Sequence, residues 1–177
     1  MLLHASDFHI REDEGDPTKI AHDYRKLFLH DAKQLVTTLG SPAGVVFSGD
    51  MAFGGKEEEY DVATTMIENI LEELGLPEQL VYMVPGNHDV ARTQADVLAS
   101  RKARADVRAA KEQATAQHEY QKYKDTLLLP IDNYQNFSLP YGGRIKNEVG
   151  YWEEEGDSVH KGFPVLFRGI STVHVSD

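Results

Sequence analysis

Three short apolar runs, each delivering polar residues at its carboxyl end, constrain this chain more than any other feature. Leu2 to Ser6 leads into Asp7, Gly44-Val45-Val46-Phe47-Ser48 into Gly49-Asp50, and Leu80-Val81-Tyr82-Met83-Val84 into Pro85-Gly86-Asn87-His88-Asp89. Apolar runs of this length without polar alternation read as strands covered on both faces. Helical patterns separate them. Asp16-Pro17 gives a start signal, Tyr24, Leu27, Phe28, Leu35, Val36 and Leu39 mark one face, and Gly40 gives a stop. A second helix from about Glu57 carries Tyr60, Met66, Ile67, Ile70, Leu71 and Leu74 on one stripe and closes at Gly75 and Pro77. The order β-α-β-α-β predicts an α/β fold with parallel strands joined by right-handed crossovers. In such sheets ligands bind at the carboxyl edge of the strands, where Asp7, Asp50 and Asn87-His88-Asp89 should converge.

The residue types at that edge point to a metal. Asp7 and His9 stand two apart at a strand end, so both can face one side and chelate one ion. Asp50 has two carboxylate oxygens and can bridge two ions, and Gly49 before it lets backbone and metal approach without an intervening Cβ. Asn87 offers a neutral amide oxygen, and Gly86 permits the turn that presents it. The chain has no cysteine, so any metal is held by nitrogen and oxygen, a set that suits Mn²⁺, Fe, Zn²⁺ or Mg²⁺.

Asp7-x-His9, Gly49-Asp50 and Gly86-Asn87-His88-Asp89, in that order and each after a predicted strand, resemble the calcineurin-like metallophosphoesterase family. The four-residue block is the most specific element. The likeness is close over residues 1 to about 90 and looser beyond. It implies a β-sandwich flanked by helices in αββα layers, incomplete here, and two divalent ions, Mn²⁺ foremost. By the same resemblance Asp7 and His9 bind the first metal, Asp50 bridges, and Asn87 binds the second. A hydroxide bridging ions ~3.5–4 Å apart would attack phosphorus in line. His88 would protonate the leaving oxygen, with Asp89 orienting its imidazole. A later His and a Gly-His-x-His block, which complete both metal sites in the family, do not occur in the chain, and His174 matches neither. Asp50 and Asn87 alone fall short of the usual three ligands for the second ion. The expectation is therefore a partial metallophosphoesterase domain over residues 1–177, with the missing carboxyl-terminal half, or a second polypeptide, supplying the remaining ligands. The histidines His4, His22, His30, His118, His160 and His174 carry no motif and read as structural.

After Val90 an Ala- and charge-rich stretch predicts partly buried helices, a cap or insertion over 91–130 following the third strand. A junction with Pro130, Asn133, Pro140, Gly142 and Gly143 follows. Strand-like material lies around Val149 to Trp152 and Val165 to Ile170, separated by the turn-prone Gly156-Asp157. The net charge of −11 argues on average against a polyanionic partner, yet residues 92 to 125 hold eight Lys and Arg against five acids. That stretch reads as a solvated helical face, with a phosphate-guiding surface at Arg101, Arg104 and Arg108 as the alternative. The amino terminus has neither a cationic leader nor a span-length apolar run, so a cytoplasmic protein without membrane contact is expected.

The function expected is metal-dependent hydrolysis of a phosphate ester. Ala52, Gly54 and Gly55 followed by Glu57-Glu58-Glu59-Tyr60 look like the cyclic-nucleotide phosphodiesterase and nuclease branches, which makes a nucleotide or nucleic-acid phosphodiester the leading substrate. A protein phosphatase-like phosphomonoesterase is the second enzymatic reading. A non-catalytic regulatory or binding module is the third.

Overall fold

A computed structural model describes residues 1–15, 20–142, 151–160, 163–171, 173 and 175. Strands β1 (Leu3–Ala5), β2 (Val45–Phe47) and β3 (Val81–Met83) form a parallel sheet in the order β1-β2-β3, with Leu3 paired to Val45 and Val45 to Val81. The crossovers are helices α1 (Ile20–Leu39) and α2 (Glu57–Leu74). Two right-handed crossovers between successive neighbours put both helices on one face of a sheet. The two do meet, and Lys33 on α1 reaches Glu73 on α2 at 2.7 Å. Both end as expected, Gly40 and Gly75 adopting positive φ of 83° and 64° just past the last helical residue.

The stripe on α2 is buried throughout, from Tyr60 to Leu74. With Val45, Phe47, Val81 and Met83 it forms the core between sheet and helices. The face expected for α1 is corrected. Tyr24, Leu27, Leu35 and Leu39 are exposed, and the helix packs through Phe28, Leu29, Ala32 and Val36. Both candidate stripes share Phe28 and Val36, so apolar spacing alone does not choose between them. The start signal Asp16-Pro17 lies outside the described residues. The expectation of strands covered on both faces holds for β3, all three residues of which are buried. It fails for β1, where His4 is exposed, whereas Tyr82 at the matching position of β3 is covered by Phe167.

Beyond β3 the chain is helical: α3 (Arg92–Ala95), α4 (Leu98–Ala109), α5 (Gln113–Leu128) and α6 (Asp132–Ser138). The packing of α4 on α5 confirms a partly buried helical stretch, since only Ser100, Ala103 and Arg104 of α4 are buried. The junction expected after Pro130 is instead α6, which carries Tyr134 and Phe137 into the core, with Tyr141 just beyond it. Gly143 lies outside the described residues. Strands β4 (Tyr151–His160) and β5 (Phe163–Ile170) form an antiparallel hairpin. Gly156-Asp157 is not its turn. Both residues lie inside β4, where the register shifts between Gly156 and His160, so the glycine marks a bulge. Phe167 of β5 stacks on Tyr82 of β3 with ring centroids 3.8 Å apart, bringing a second β layer onto the sheet face away from the helices.

The burial pattern sets a stability contrast between the two helices. Ile67→Ala should lower the unfolding free energy in urea by about 2–5 kcal/mol, whereas Leu27→Ala should stay within about 0.5 kcal/mol. Equal losses would restore the α1 face that the sequence favoured.

Candidate metal centre

The loops after β1, β2 and β3 meet at one rim. The pairing of β1 with β2 runs on past the strands, with the Asp7 N–H donating to the Gly49 carbonyl at 3.1 Å and the His9 N–H to Asp50 at 2.9 Å. Ile10 and Ala52 then close a parallel bridge. Phe8 turns inward against Phe28 and Phe47, so Asp7 and His9 face away from the core together. Asp7, His9 and Asp50 all adopt left-handed backbone, with φ of 61°, 47° and 55°, and they are the non-glycine residues that do so among those described. Such conformations cost about 1–3 kcal/mol each and persist where surrounding structure over-determines them, typically at functional sites.

The result is a compact donor set. One ligating atom from each of Asp7, His9 and Asp50 lies within 4.8 Å of the others, and Nε2 of His9 stands 3.8 Å from Asp7. Two bonds of about 2.0–2.4 Å from a single cation span such separations. The His9 Nδ1 is buried without a hydrogen-bond partner. Two carboxylates and an imidazole thus fit a divalent cation in both reach and chemistry. Asn87, exposed, begins a short 3-10 turn (Asn87–Asp89) beside this cluster, and the next N–H, that of His88, donates to Asp50 Oδ1 at 2.8 Å.

The glycines act between loops. A Cβ on Gly49 would meet the Gly86 backbone at 2.8 Å, and one on Gly86 would meet the Asp50 carboxylate at 2.1 Å. Gly49 therefore makes room for another loop rather than for a metal. Gly86 keeps an extended backbone, and its role is to let Asp50 in, not to make a tight turn.

His88 and Asp89 divide their work differently from the expectation. The His88 ring lies 4.4 Å from the His9 ring, and its Nδ1 donates to the Phe53 carbonyl at 2.8 Å. That carbonyl, not Asp89, orients the imidazole. Asp89 is buried and accepts from the N–H groups of Met51, Ala52 and Gly86 at 3.3, 2.9 and 2.8 Å, and from the Tyr60 hydroxyl at 3.0 Å. Burial pushes its carboxyl above the ordinary carboxylate range, while these four donors pull it back. Burial, reinforced by the Asp89 charge, pushes the Tyr60 hydroxyl far above its usual value, so it stays a donor. The sequence missed Phe53, and no motif marks a residue that acts through its carbonyl.

A family model described as calcineurin-like phosphoesterase matches residues 1–175. The chain belongs to that family. The match runs well past residue 90, so the likeness extends into the helices and the hairpin. No individual curated protein and no solved structure matches the chain. Family membership makes this a metal-dependent phosphoesterase type, and the Asp7-His9-Asp50 cluster is its candidate metal site.

The other sequence candidates scatter. Arg104 is buried and donates to the Ala95 carbonyl at 2.9 Å, Arg101 pairs with Asp96, and Lys102 with Asp106. The cationic stretch is thus largely engaged within its own helices. His4 bonds to Ser48, His30 and His118 are exposed, and His174 lies outside the described residues. No helix among the described residues is long and apolar enough to cross a membrane.

Asp89→Asn should destabilise the protein by about 1–3 kcal/mol in urea unfolding, because an amide turns an N–H₂ toward N–H donors and leaves at least one unsatisfied. An unchanged midpoint would remove Asp89 as the tie between the loops.

Proposed function

We propose that this centre hydrolyses phosphodiesters of nucleotides or nucleic acid, with Asp7 and His9 holding one divalent cation, Asp50 shared with a second, and Asn87 on the second. The observation that carries the reading is the left-handed Asp7-His9-Asp50 cluster with the His88 ring 4.4 Å from His9. Bound cations, Mn²⁺ foremost in our reading, supply charge neutralisation for the phosphoryl oxygens and a water acidified to near-neutral pKa.

The remaining steps belong to the chain. The carboxylates and the imidazole fix where the phosphoryl group sits. Left-handed backbone holds them there before substrate arrives, so little reorganisation is left for the reaction. His88, with its Nδ1–H committed to the Phe53 carbonyl, would act as the imidazolium and hand its Nε2 proton to the leaving oxygen. The Asp7 side chain is 65% exposed, which leaves room for the second esterified group of a diester. The remaining ligands of the second cation would come from a further segment or a second polypeptide, and we propose a cytoplasmic location.

Hydrolysis of bis(p-nitrophenyl) phosphate with added Mn²⁺ tests the reading, and EDTA should abolish it. Asp50→Ala should abolish turnover. His88→Ala should lower kcat by about 10²–10⁴-fold while leaving Mn²⁺ binding in place. Faster turnover of p-nitrophenyl phosphate than of the diester would favour the phosphomonoesterase reading. Mn²⁺ binding with no turnover of either would turn the protein into a binding module.

A further inference from the structure

The Phe53 carbonyl that orients His88 belongs to a peptide unit whose other end is also held. That unit joins Phe53 to Gly54, and the Gly54 N–H donates to Glu59 Oε2 at 2.8 Å. The peptide is trans, so its carbonyl and its N–H lie in one rigid plane and point in opposite directions. Fixing the N–H on one side therefore fixes the carbonyl on the other, where it meets the His88 Nδ1 at 2.8 Å. A single amide plane connects the first turn of α2 to the imidazole.

Helix capping alone does not account for Glu59. The residue is 2% exposed, and the same Oε2 also accepts from the Lys56 N–H at 3.1 Å. The Lys56 bond belongs to the capping box of α2. The Gly54 bond does not, because Lys56 is the cap residue and Gly54 lies two positions outside it. Further bonds hold the loop at its ends, from the Phe53 N–H to the Ile10 carbonyl and from Asn133 Nδ2 to the Gly55 carbonyl, both at 2.9 Å. Between those anchors Gly54 and Gly55 give the backbone wide torsional freedom, and the carboxylate is what stops the Phe53–Gly54 plane from turning.

We propose that Glu59 is a positioning residue for the proton donor, holding the His88 ring through the Phe53–Gly54 amide so that Nδ1 stays on the carbonyl and Nε2 is left for the leaving oxygen. The assignment deepens the phosphodiesterase reading and rests on it. Its effect is greatest on leaving groups that depart poorly without a proton.

Mn²⁺-dependent hydrolysis of two esters of thymidine 5′-monophosphate, the p-nitrophenyl and the phenyl, tests the role, because phenolate is the more basic leaving group and depends more on a donated proton. Glu59→Ala should lower kcat on the phenyl ester about tenfold more than on the p-nitrophenyl ester. Glu59→Gln, whose amide oxygen can accept both N–H groups, should keep the wild-type ratio. In a His88→Ala background, Glu59→Ala should leave the ratio unchanged. An equal loss on both esters, or a leaving-group effect that survives His88→Ala, overturns the role and leaves Glu59 a helix cap. A second readout needs no turnover: nitrogen-15 spectra of the metal-free protein, with the imidazole neutral, should show the His88 proton on Nδ1, and Glu59→Ala should give a mixture of tautomers. A wild-type ring protonated on Nε2 overturns the proposal on the unmodified chain, even if a variant misfolds. Should the wild-type protein cleave neither ester, the phosphodiesterase reading falls, and the spectra alone decide whether Glu59 orients the ring.

Discussion

The buried carboxylate of Asp89 is the interaction on which the rest of the rim depends. It gathers N–H groups from the loop after β2 and the loop after β3, and a hydroxyl from α2, around one charge. Three elements distant in sequence are thereby held at fixed separation. Burying a carboxylate is costly unless donors surround it, and removing one donor leaves the charge exposed to that cost, so the cluster is kept or lost as a unit. Glu59 repeats the device at smaller scale, accepting from the Gly54 and Lys56 N–H groups and fixing the loop that carries Phe53. One residue of the acidic run at the start of α2 thus serves loop architecture.

Strain and cohesion are paired at this rim. Asp7, His9 and Asp50 adopt a backbone that non-glycine residues avoid. The hydrogen bonds from Asp7 to Gly49 and from His9 to Asp50 lock two of them in register with their neighbours. Gly49 and Gly86 allow the loops to approach so closely that a single methyl group at either position would collide. The cluster is consequently placed mainly by backbone contacts, and the His88 N–H in turn fixes the Asp50 carboxylate through Oδ1.

Much of this was legible in the sequence, and the parts that were not have physical reasons. The apolar runs before Asp7, Asp50 and Asn87 were read correctly as parallel strands because each is short, apolar and followed by a helical pattern. The α2 stripe was legible because all its large apolar residues fall on one side. On α1 they fall on two sides, and spacing alone could not tell the core-facing stripe of Phe28, Leu29, Ala32 and Val36 from the exposed one. The family resemblance made Asp89 the partner of His88, but in a 3-10 turn successive side chains point apart. Asn133 carries no motif, since its placement follows from the packing of α6 on the loop after β2.

Phe53 joins two functions that a sequence motif would treat separately. Its carbonyl accepts a hydrogen bond from the Nδ1–H of His88 and so orients the imidazole. Its ring lines the neighbouring cavity and packs against the Arg11 guanidinium and the His88 ring. The backbone that carries the carbonyl is held on one side by the Phe53 N–H to the Ile10 carbonyl and on the other, through Gly54 and Gly55, by Glu59 and Asn133. The ring can turn about its side-chain torsions without disturbing the carbonyl. The position of the imidazole therefore depends on the hydrogen bonds of this loop and not on what the ring touches.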